Sequence, residues 1–295
     1  MLKNNKALTI AAVGFDIRAT REIDDSALPV AYSEFRGDGE RDVSVAVDLL
    51  EGAKTGLSKI ECTFTGGDMW SLFRDGNVRY LTHTGFGIDA PMWCAEFDLD
   101  LSEIKIHCGD ILLGRGERIA TPVRYPLDQL LMTYVLARRQ GFLLHTAGVL
   151  VGGSLWLLCG KSGAGKSTIS GLLRGRDDVE LLSDDRIMVR VMKNEVIGYG
   201  TPWPGEAKIA SNKKAPLAGI MFLEQSLVNQ IDEIAPLDAF ERMMPVVSVP
   251  WYEKELFPSV LECCGLVAER VPMFRMRFRP DEAAVEMVMA RIQDV

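Results

Sequence analysis

The sequence predicts an α/β (α+β) fold, with a β-rich N-terminal region followed by a region in which strands and helices alternate. Three observations lead to this prediction. Short runs of β-branched and aromatic residues, separated by glycine turns, fill about the first 120 residues. Apolar residues recur at helical spacing after Pro126. The apolar run Leu155–Cys159 then leads through a glycine-rich segment into another helical pattern. We therefore expect one domain over residues 1–122 and a second over 123–295.

In the N-terminal region, partial alternation of apolar and polar residues predicts a series of short strands. These strands are Ala7–Phe15, Asp42–Leu50, Ile60–Phe64, Val78–Leu81, Glu96–Leu101 and Glu103–Cys108. Turn signals at Gly66-Gly67 and Asp75-Gly76 separate some of them. Because nothing in this region has catalytic spacing, we expect it to contribute to substrate binding.

In the C-terminal region, strands and helices alternate. Apolar residues at helical spacing predict a helix that starts after Pro126 and ends before Gly141, since proline is a start signal and glycine an end signal. Further strands are predicted at Phe142–Leu144, Gly148–Val151, Leu155–Cys159, Val179–Leu182, Ile187–Met192, Leu217–Leu223 and Met273–Phe278. Further helices are predicted at Ser167–Leu173, Asp238–Met244, Glu253–Cys264 and Glu282–Ile292.

Composition narrows the class of protein. Hydrophobic residues make up 47% of the chain and charged residues 25%, which is typical of a globular protein. The net charge of −8 disfavours nucleic acid as a partner, because its phosphate backbone attracts basic surfaces. No apolar run approaches the roughly 18 residues of a membrane span, and no segment has the pattern of a signal peptide. We expect a cytoplasmic protein with reduced thiols and no membrane partner.

A glycine-rich segment follows Leu155–Cys159 and matches the pattern G-x-x-x-x-G-K-[ST]. Glycines let backbone N–H groups approach phosphate oxygens, and the helix N-terminus adds the positive end of its dipole. Lys166 can bridge the β- and γ-phosphates, and Ser167 can bind Mg²⁺. The predicted nucleotide-binding residues are Gly160, Ser162, Gly163, Ala164, Gly165, Lys166, Ser167 and Thr168. A glycine-rich turn without a ligand is the alternative, but such a turn needs neither Lys166 nor Ser167. The sequence therefore predicts a site for a nucleoside triphosphate with Mg²⁺, most simply ATP, although no base-reading motif distinguishes ATP from GTP.

Two adjacent carboxylates, Asp184 and Asp185, end the predicted strand Val179–Leu182 after one intervening serine. A strand end beside a phosphate loop is a typical place for a Mg²⁺ ligand. One carboxylate can hold the metal while the other accepts a proton from an attacking hydroxyl. A charged turn at the end of an edge strand is the alternative. Only one helix and one strand separate the pair from the loop, which points away from GTPases and ABC proteins and towards a smaller set of kinases.

In their order, these segments resemble the HPr kinase/phosphorylase family, whose fold is shared with phosphoenolpyruvate carboxykinase. The matching segments are His145–Val151, Gly160–Ser167 and Leu181–Asp185. The chain looks still closer to kinase homologues in natural-product and lasso-peptide gene clusters, which have a segment similar to Gly200–Glu206. The resemblance covers roughly residues 125–290 and implies a core like the C-terminal domain of HPr kinase.

The resemblance also implies roles for individual residues. Asp185 would be the general base on a substrate hydroxyl and Asp184 its neighbour on the metal side, although the sequence leaves open which acid does which. His145 would lie near the transferred phosphoryl group, with Lys166 stabilising its charge. Glu206 would contribute to the metal site or the substrate pocket. The implied metal ligands are Ser167, Asp184 and Glu206.

Two departures from the family limit what the resemblance implies. No Glu-x-Arg-Gly-Leu-Gly-type motif follows the acidic pair, so we do not expect phosphorylase activity. The first ~120 residues do not resemble the N-terminal domain of HPr kinase either, which argues against HPr as the substrate. By analogy, the resemblance favours a homo-oligomer.

These observations lead to a main hypothesis and two alternatives. The main hypothesis is an ATP- and Mg²⁺-dependent kinase that transfers the γ-phosphoryl group to a hydroxyl, most simply Ser or Thr of a small protein or peptide. One alternative is a nucleotide-binding regulatory or partner protein with little catalysis, which would not need a base at Asp185. The other is a kinase of small molecules, which the sequence does not distinguish because acceptor specificity depends on pocket shape.

Overall fold

The computed structural model describes residues 4–26, 28–37, 41–49, 57–67, 69–84, 91–161 and 163–294. These residues form an α+β structure in which strands predominate, and the N-terminal region is rich in β-structure as predicted. The chain divides into two compact units, Met1–Tyr134 and Val135–Val295. The domain boundary that we expect after residue 122 stays a prediction.

The first unit is built on a mixed sheet. Its strands are β1 Asn4–Ile10, β2 Val13–Ala19, β3 Ile23–Asp24, β4 Val43–Leu49, β5 Glu61–Gly66, β6 Trp70–Asp75, β7 Val78–Thr84, β8 Pro91–Phe97, β9 Glu103–Cys108 and β10 Ile119–Ala120. Within the described residues, eight strands pair in the order β1-β2-β4-β9-β8-β7-β6-β5, while β10 pairs with β3. The strands β2, β4 and β9 are parallel neighbours, and the other pairs of the large sheet are antiparallel. Short 3₁₀ helices lie at Val30–Phe35, Leu57–Lys59, Asp110–Leu112 and Arg115–Glu117.

Two predictions for this unit were wrong in detail, and one strand of the large sheet was not predicted. The run Ala7–Phe15 is not one strand but parts of the hairpin β1–β2, which turns at Ala11 and Ala12 with φ of 51° and 57°. Alanine gives no turn signal, because positive φ is normally the region of glycine or asparagine. The strand expected at Glu96–Leu101 instead ends with β8 at Phe97, and β6 was not predicted. Residue 50 of the predicted strand Asp42–Leu50 lies outside the described residues.

The second unit contains the remaining strands. They are β11 Gly141–Val151, β12 Ser154–Cys159, β13 Val179–Ser183, β14 Arg186–Val191, β15 Val196–Tyr199, β16 Lys214–Gln225, β17 Gln230–Glu233, β18 Val247–Ser248 and β19 Met273–Phe278. Helix α1 Leu127–Arg138 spans the division between the units. The later helices are α2 Lys166–Leu173, α3 Pro236–Met243, α4 Phe257–Arg270 and α5 Glu282–Gln293, and a 3₁₀ helix lies at Met244–Val246. The two predicted strands Phe142–Leu144 and Gly148–Val151 are one continuous strand, β11.

The pairing of these strands determines which loops meet. Strand β16 pairs in parallel with both β12 and β19, so the C-terminal ends of all three lie at one edge. Strand β11 pairs with β12 through Thr146 and Cys159, and with β14 through His145 and Arg186. His145 therefore lies on β11 between the end of β12 and the turn that joins β13 to β14.

A hydrophobic core supports this edge. Trp156 of β12 is 1% exposed and packs in a cluster with Phe274 and Phe278 of β19. The same cluster includes Ile169 of α2 and Val285 of α5, so both helices contribute to one core with the strands. Burial of large apolar side chains is the main favourable contribution to folding. Within the part of the chain that the structure describes, no helix has the length and apolar character needed to cross a membrane.

Candidate functional site

The glycine-rich loop joins the buried end of β12 to the start of α2. Gly165 lies at the N-cap of α2 with φ of 96°, a left-handed conformation that glycine adopts without a steric penalty. A Cβ at this position would lie 2.7 Å from Cζ of Phe278. The loop therefore needs glycine at this motif position both for its backbone angle and for its contact with the core.

The first turn of α2 presents backbone N–H groups to the loop. The first N–H groups of a helix have no partners within it, and in the described part of the loop no side chain caps them. Ser167 and Thr168 are exposed on this turn. Unpaired amides and the positive end of the helix dipole together favour a phosphate group.

Lys166 extends back across the loop. Its Nζ donates a hydrogen bond to the carbonyl oxygen of Gly160 at 2.7 Å, and the residue is only 9% exposed. Burial lowers the pKa of the Lys166 ammonium, although the nearby Cys159 and Asp185 act in the opposite direction. The ammonium is thus partly desolvated beside the loop, where a phosphate would stabilise its charge.

The acidic pair lies in the tight connection between β13 and β14, and its first member is bound by backbone. Oδ1 of Asp184 accepts hydrogen bonds from the amides of Gly205 at 2.9 Å and Ile209 at 3.3 Å. Oδ2 accepts one from the amide of Ala207 at 2.7 Å. The Asp184 carboxylate therefore binds the segment that carries Glu206.

Asp185 contacts side chains instead. Its Oδ1 lies 3.5 Å from Nδ1 of His145, and its Oδ2 accepts a hydrogen bond from Nε of Arg186 at 3.1 Å. Burial lowers the pKa of His145 below its usual value, while the Asp185 carboxylate partly opposes this effect. A lowered pKa favours the neutral imidazole at physiological pH.

A cavity of 440 Å³ brings the two motifs together. The predicted site residues that line it are His145, Gly163, Gly165, Lys166, Ser167, Thr168, Asp184, Asp185 and Glu206. Gly160 and Ala164 line a neighbouring cavity of 690 Å³, which shares Gly163 with the first. Ser162 lies outside the described residues.

Sequence reasoning missed two side chains at this site. Nε2 of Gln225 donates a hydrogen bond to the carbonyl oxygen of Gly163 at 2.7 Å, and Gln225 lines both cavities. Its position at the C-terminal end of a strand parallel to β12 could have identified it, because ligands bind at such ends in parallel sheets. Arg186, the partner of Asp185, directly follows the acidic pair in the sequence but received no role.

The cavity has a donor set that suits Mg²⁺ bound to phosphates. Among the described residues, no cluster of three or more His, Cys, Asp or Glu side chains could hold a metal ion. Mg²⁺ bound with a nucleotide needs only one or two protein oxygens, because phosphates and waters supply the rest. Ser167, Asp185 and Glu206 present such oxygens on the cavity wall.

Known proteins resemble this chain only distantly. No family model matches the chain, and no curated protein matches it. Among solved structures, the HPr(Ser) kinase/phosphatase from Coxiella burnetii aligns with 52% of this chain and 94% of its own length. The two are 13% identical, with a TM-score of 0.29. A likeness this distant carries no argument about activity, which has to come from the site itself.

Proposed function

We propose that this chain is an ATP- and Mg²⁺-dependent kinase that phosphorylates a hydroxyl group, of Ser or Thr in a small protein or peptide. The observation that carries the proposal is the 440 Å³ cavity, whose lining includes both Lys166 and Ser167 of the phosphate loop and the side chains of Asp185 and His145. A phosphate loop alone would support only nucleotide binding. A carboxylate facing the same cavity adds a group that can act on an acceptor.

The loop and Lys166 hold the phosphates in this proposal. Backbone amides of the first turn of α2 bind phosphate oxygens, and Nζ of Lys166 exchanges its bond to Gly160 for the β- and γ-phosphates. Ser167 and Glu206 would hold the magnesium ion. When bound, the ion neutralises negative charge on the phosphates.

Asp185 orients the acceptor hydroxyl and takes its proton. The hydroxyl oxygen forms a bond to the γ-phosphorus, the bond from that phosphorus to the bridging oxygen breaks, and ADP leaves with the electron pair. Arg186 donates to Oδ2 of Asp185, which leaves Oδ1, on the His145 side, as the oxygen that receives the proton. Burial lowers the pKa of His145 and so favours its neutral form, which adds no positive charge beside Oδ1.

Transfer from γ-³²P-ATP in a single turnover tests the proposal, with a lysate of the source organism as the pool of acceptors. Wild type is compared with Asp185→Asn and with Asp177→Asn, a matched change at an exposed aspartate of the same unit. We expect a labelled protein or peptide with wild type and Asp177→Asn, and none with Asp185→Asn.

Two results would count against this function. Label in a small molecule would contradict the protein or peptide acceptor and support the small-molecule kinase. ATP binding without any transfer, equal in all three proteins, would contradict the kinase and support a nucleotide-binding partner protein.

A further inference from the structure

The segment Gly205–Ile209 has no regular secondary structure, yet it is bound closely to the turn between β13 and β14. Its amides at Gly205, Ala207 and Ile209 all donate to the carboxylate of Asp184, at 2.9, 2.7 and 3.3 Å. Alternate amides along the segment thus converge on one side chain. Such convergence is expected where a carboxylate organises a loop.

Further contacts bind the same segment to the same turn. A Cβ on Gly205 would lie 2.8 Å from Oδ2 of Asp184 and 3.1 Å from Cβ of Asp185, so only glycine permits this approach. Just beyond the segment, Ala210 forms an isolated bridge with Ser183. Glu206 lies between two of the residues whose amides are bound, and it lines the 440 Å³ cavity.

We propose that Asp184 is a positioning residue, which holds Gly205–Ile209 in place and thereby presents Glu206 to the cavity, rather than a ligand of the metal. A carboxylate has about four acceptor positions, and the segment's amides occupy three of them. The oxygens left for a divalent cation are then those of Glu206 and Ser167, since Asp185 is the base in the proposed function. This assignment of the cation rests on the proposed function, whereas the positioning role does not.

The two roles predict different consequences for Asp184→Asn. The substitution replaces one acceptor oxygen with an NH₂ group, which cannot accept a hydrogen bond from an amide. If Asp184 is a positioning residue, the segment loosens and the effect on cation binding arises through Glu206. If Asp184 is a direct ligand, the segment matters little and the loss of charge acts on the cation independently of Glu206.

Amide hydrogen exchange of the complete chain tests the positioning role without any ligand. We expect the amides of Gly205, Ala207 and Ile209 to exchange about tenfold faster or more in Asp184→Asn, because one of the two acceptor oxygens is lost and the hydrogen bonds to the other are no longer charge-assisted. Asp177→Asn is the matched control and should leave them unchanged. Unchanged exchange at these amides in Asp184→Asn, with the rest of the fold intact, would overturn the proposal. Faster tryptic cleavage after the exposed Lys208 provides a second readout of the same loosening.

A double-mutant cycle tests the link to the cation. Mg²⁺ is titrated against a fixed concentration of ATP, and nucleotide binding is measured in wild type, Asp184→Asn, Glu206→Gln and the double variant. We expect the double variant to require the same Mg²⁺ concentration for half-maximal nucleotide binding as the single variant with the larger defect, because both changes act through Glu206. Additive effects would overturn the positioning account of cation binding. Failure of wild type to bind Mg²⁺ with ATP would refute the proposed function, while the exchange experiment would still decide the role of Asp184.

Discussion

Gly165→Ala changes a loop position at which both the backbone angle and the packing against the core favour glycine. Alanine at φ of 96° pays about 1–2 kcal/mol for the left-handed conformation. Its Cβ would also meet the buried Phe278 ring at 2.7 Å, and overpacking of this kind costs about 1–3 kcal/mol. The two contributions together lower the free energy of unfolding by about 2–5 kcal/mol.

Gly163→Ala is the matched control for this prediction. Gly163 has φ of 81°, and a Cβ there would meet no described atom within 4 Å. We expect Gly163→Ala to be destabilised only by the left-handed backbone conformation of alanine. Gly165→Ala should therefore have a free energy of unfolding lower than that of Gly163→Ala by about 1–3 kcal/mol. Urea denaturation without nucleotide measures both variants. Equal stability of the two would refute the inference that the loop packs on Phe278.

Three further predictions concern other parts of the molecule. Tyr32→Phe removes a hydroxyl that donates to the buried Asp128 at 2.6 Å, and it should lower stability in urea by about 1–3 kcal/mol; no change would contradict this. Gly219→Ala would place a Cβ 2.2 Å from the Trp156 ring, so calorimetry should show a free energy of unfolding lower by about 1–3 kcal/mol or more. A variant as stable as wild type would contradict this and mean that the ring moves aside freely. Burial lowers the pKa of His145 in the folded protein, so the unfolded chain binds a proton at this residue more readily than the folded one. As the pH falls from about 6.5, the free energy of unfolding of wild type should therefore decrease relative to that of His145→Gln. Parallel curves of stability against pH for the two proteins would contradict this prediction.

The sequence was most informative where chemistry requires particular residues in a fixed order. The pattern from Gly160 to Ser167 predicted a strand, a loop and a helix, and the structure has all three in these positions. Apolar periodicity located α1, and the alternation of Val43, Val45 and Val47 located β4 with those side chains buried. Local patterns were sufficient because the apolar residues of each element recur at the period of its secondary structure or form one short continuous run.

Features that depend on contacts distant in sequence could not be predicted. Nothing near Asp184 indicates that its carboxylate is bound by amides more than 20 residues later, since any backbone can supply an N–H group. Sequence spacing likewise gave no sign that Gln225 reaches Gly163. The helix predicted at Glu253–Cys264 instead occupies Phe257–Arg270, with proline in its first turn and Glu253 buried in the preceding turn. A proline near the start of a helix signals such a boundary.

Equilibrium binding of ATP with Mg²⁺ tests the central claim, that Gly160–Ser167 is a nucleotide-binding loop. Calorimetric titration compares wild type with Lys166→Ala and with Lys193→Ala, which removes an exposed lysine of the same unit outside both cavities. We expect wild type and Lys193→Ala to bind alike and Lys166→Ala to bind about 10- to 100-fold more weakly, since it loses charged hydrogen bonds to phosphate. Absence of binding by wild type, or equal binding by all three proteins, would contradict the account.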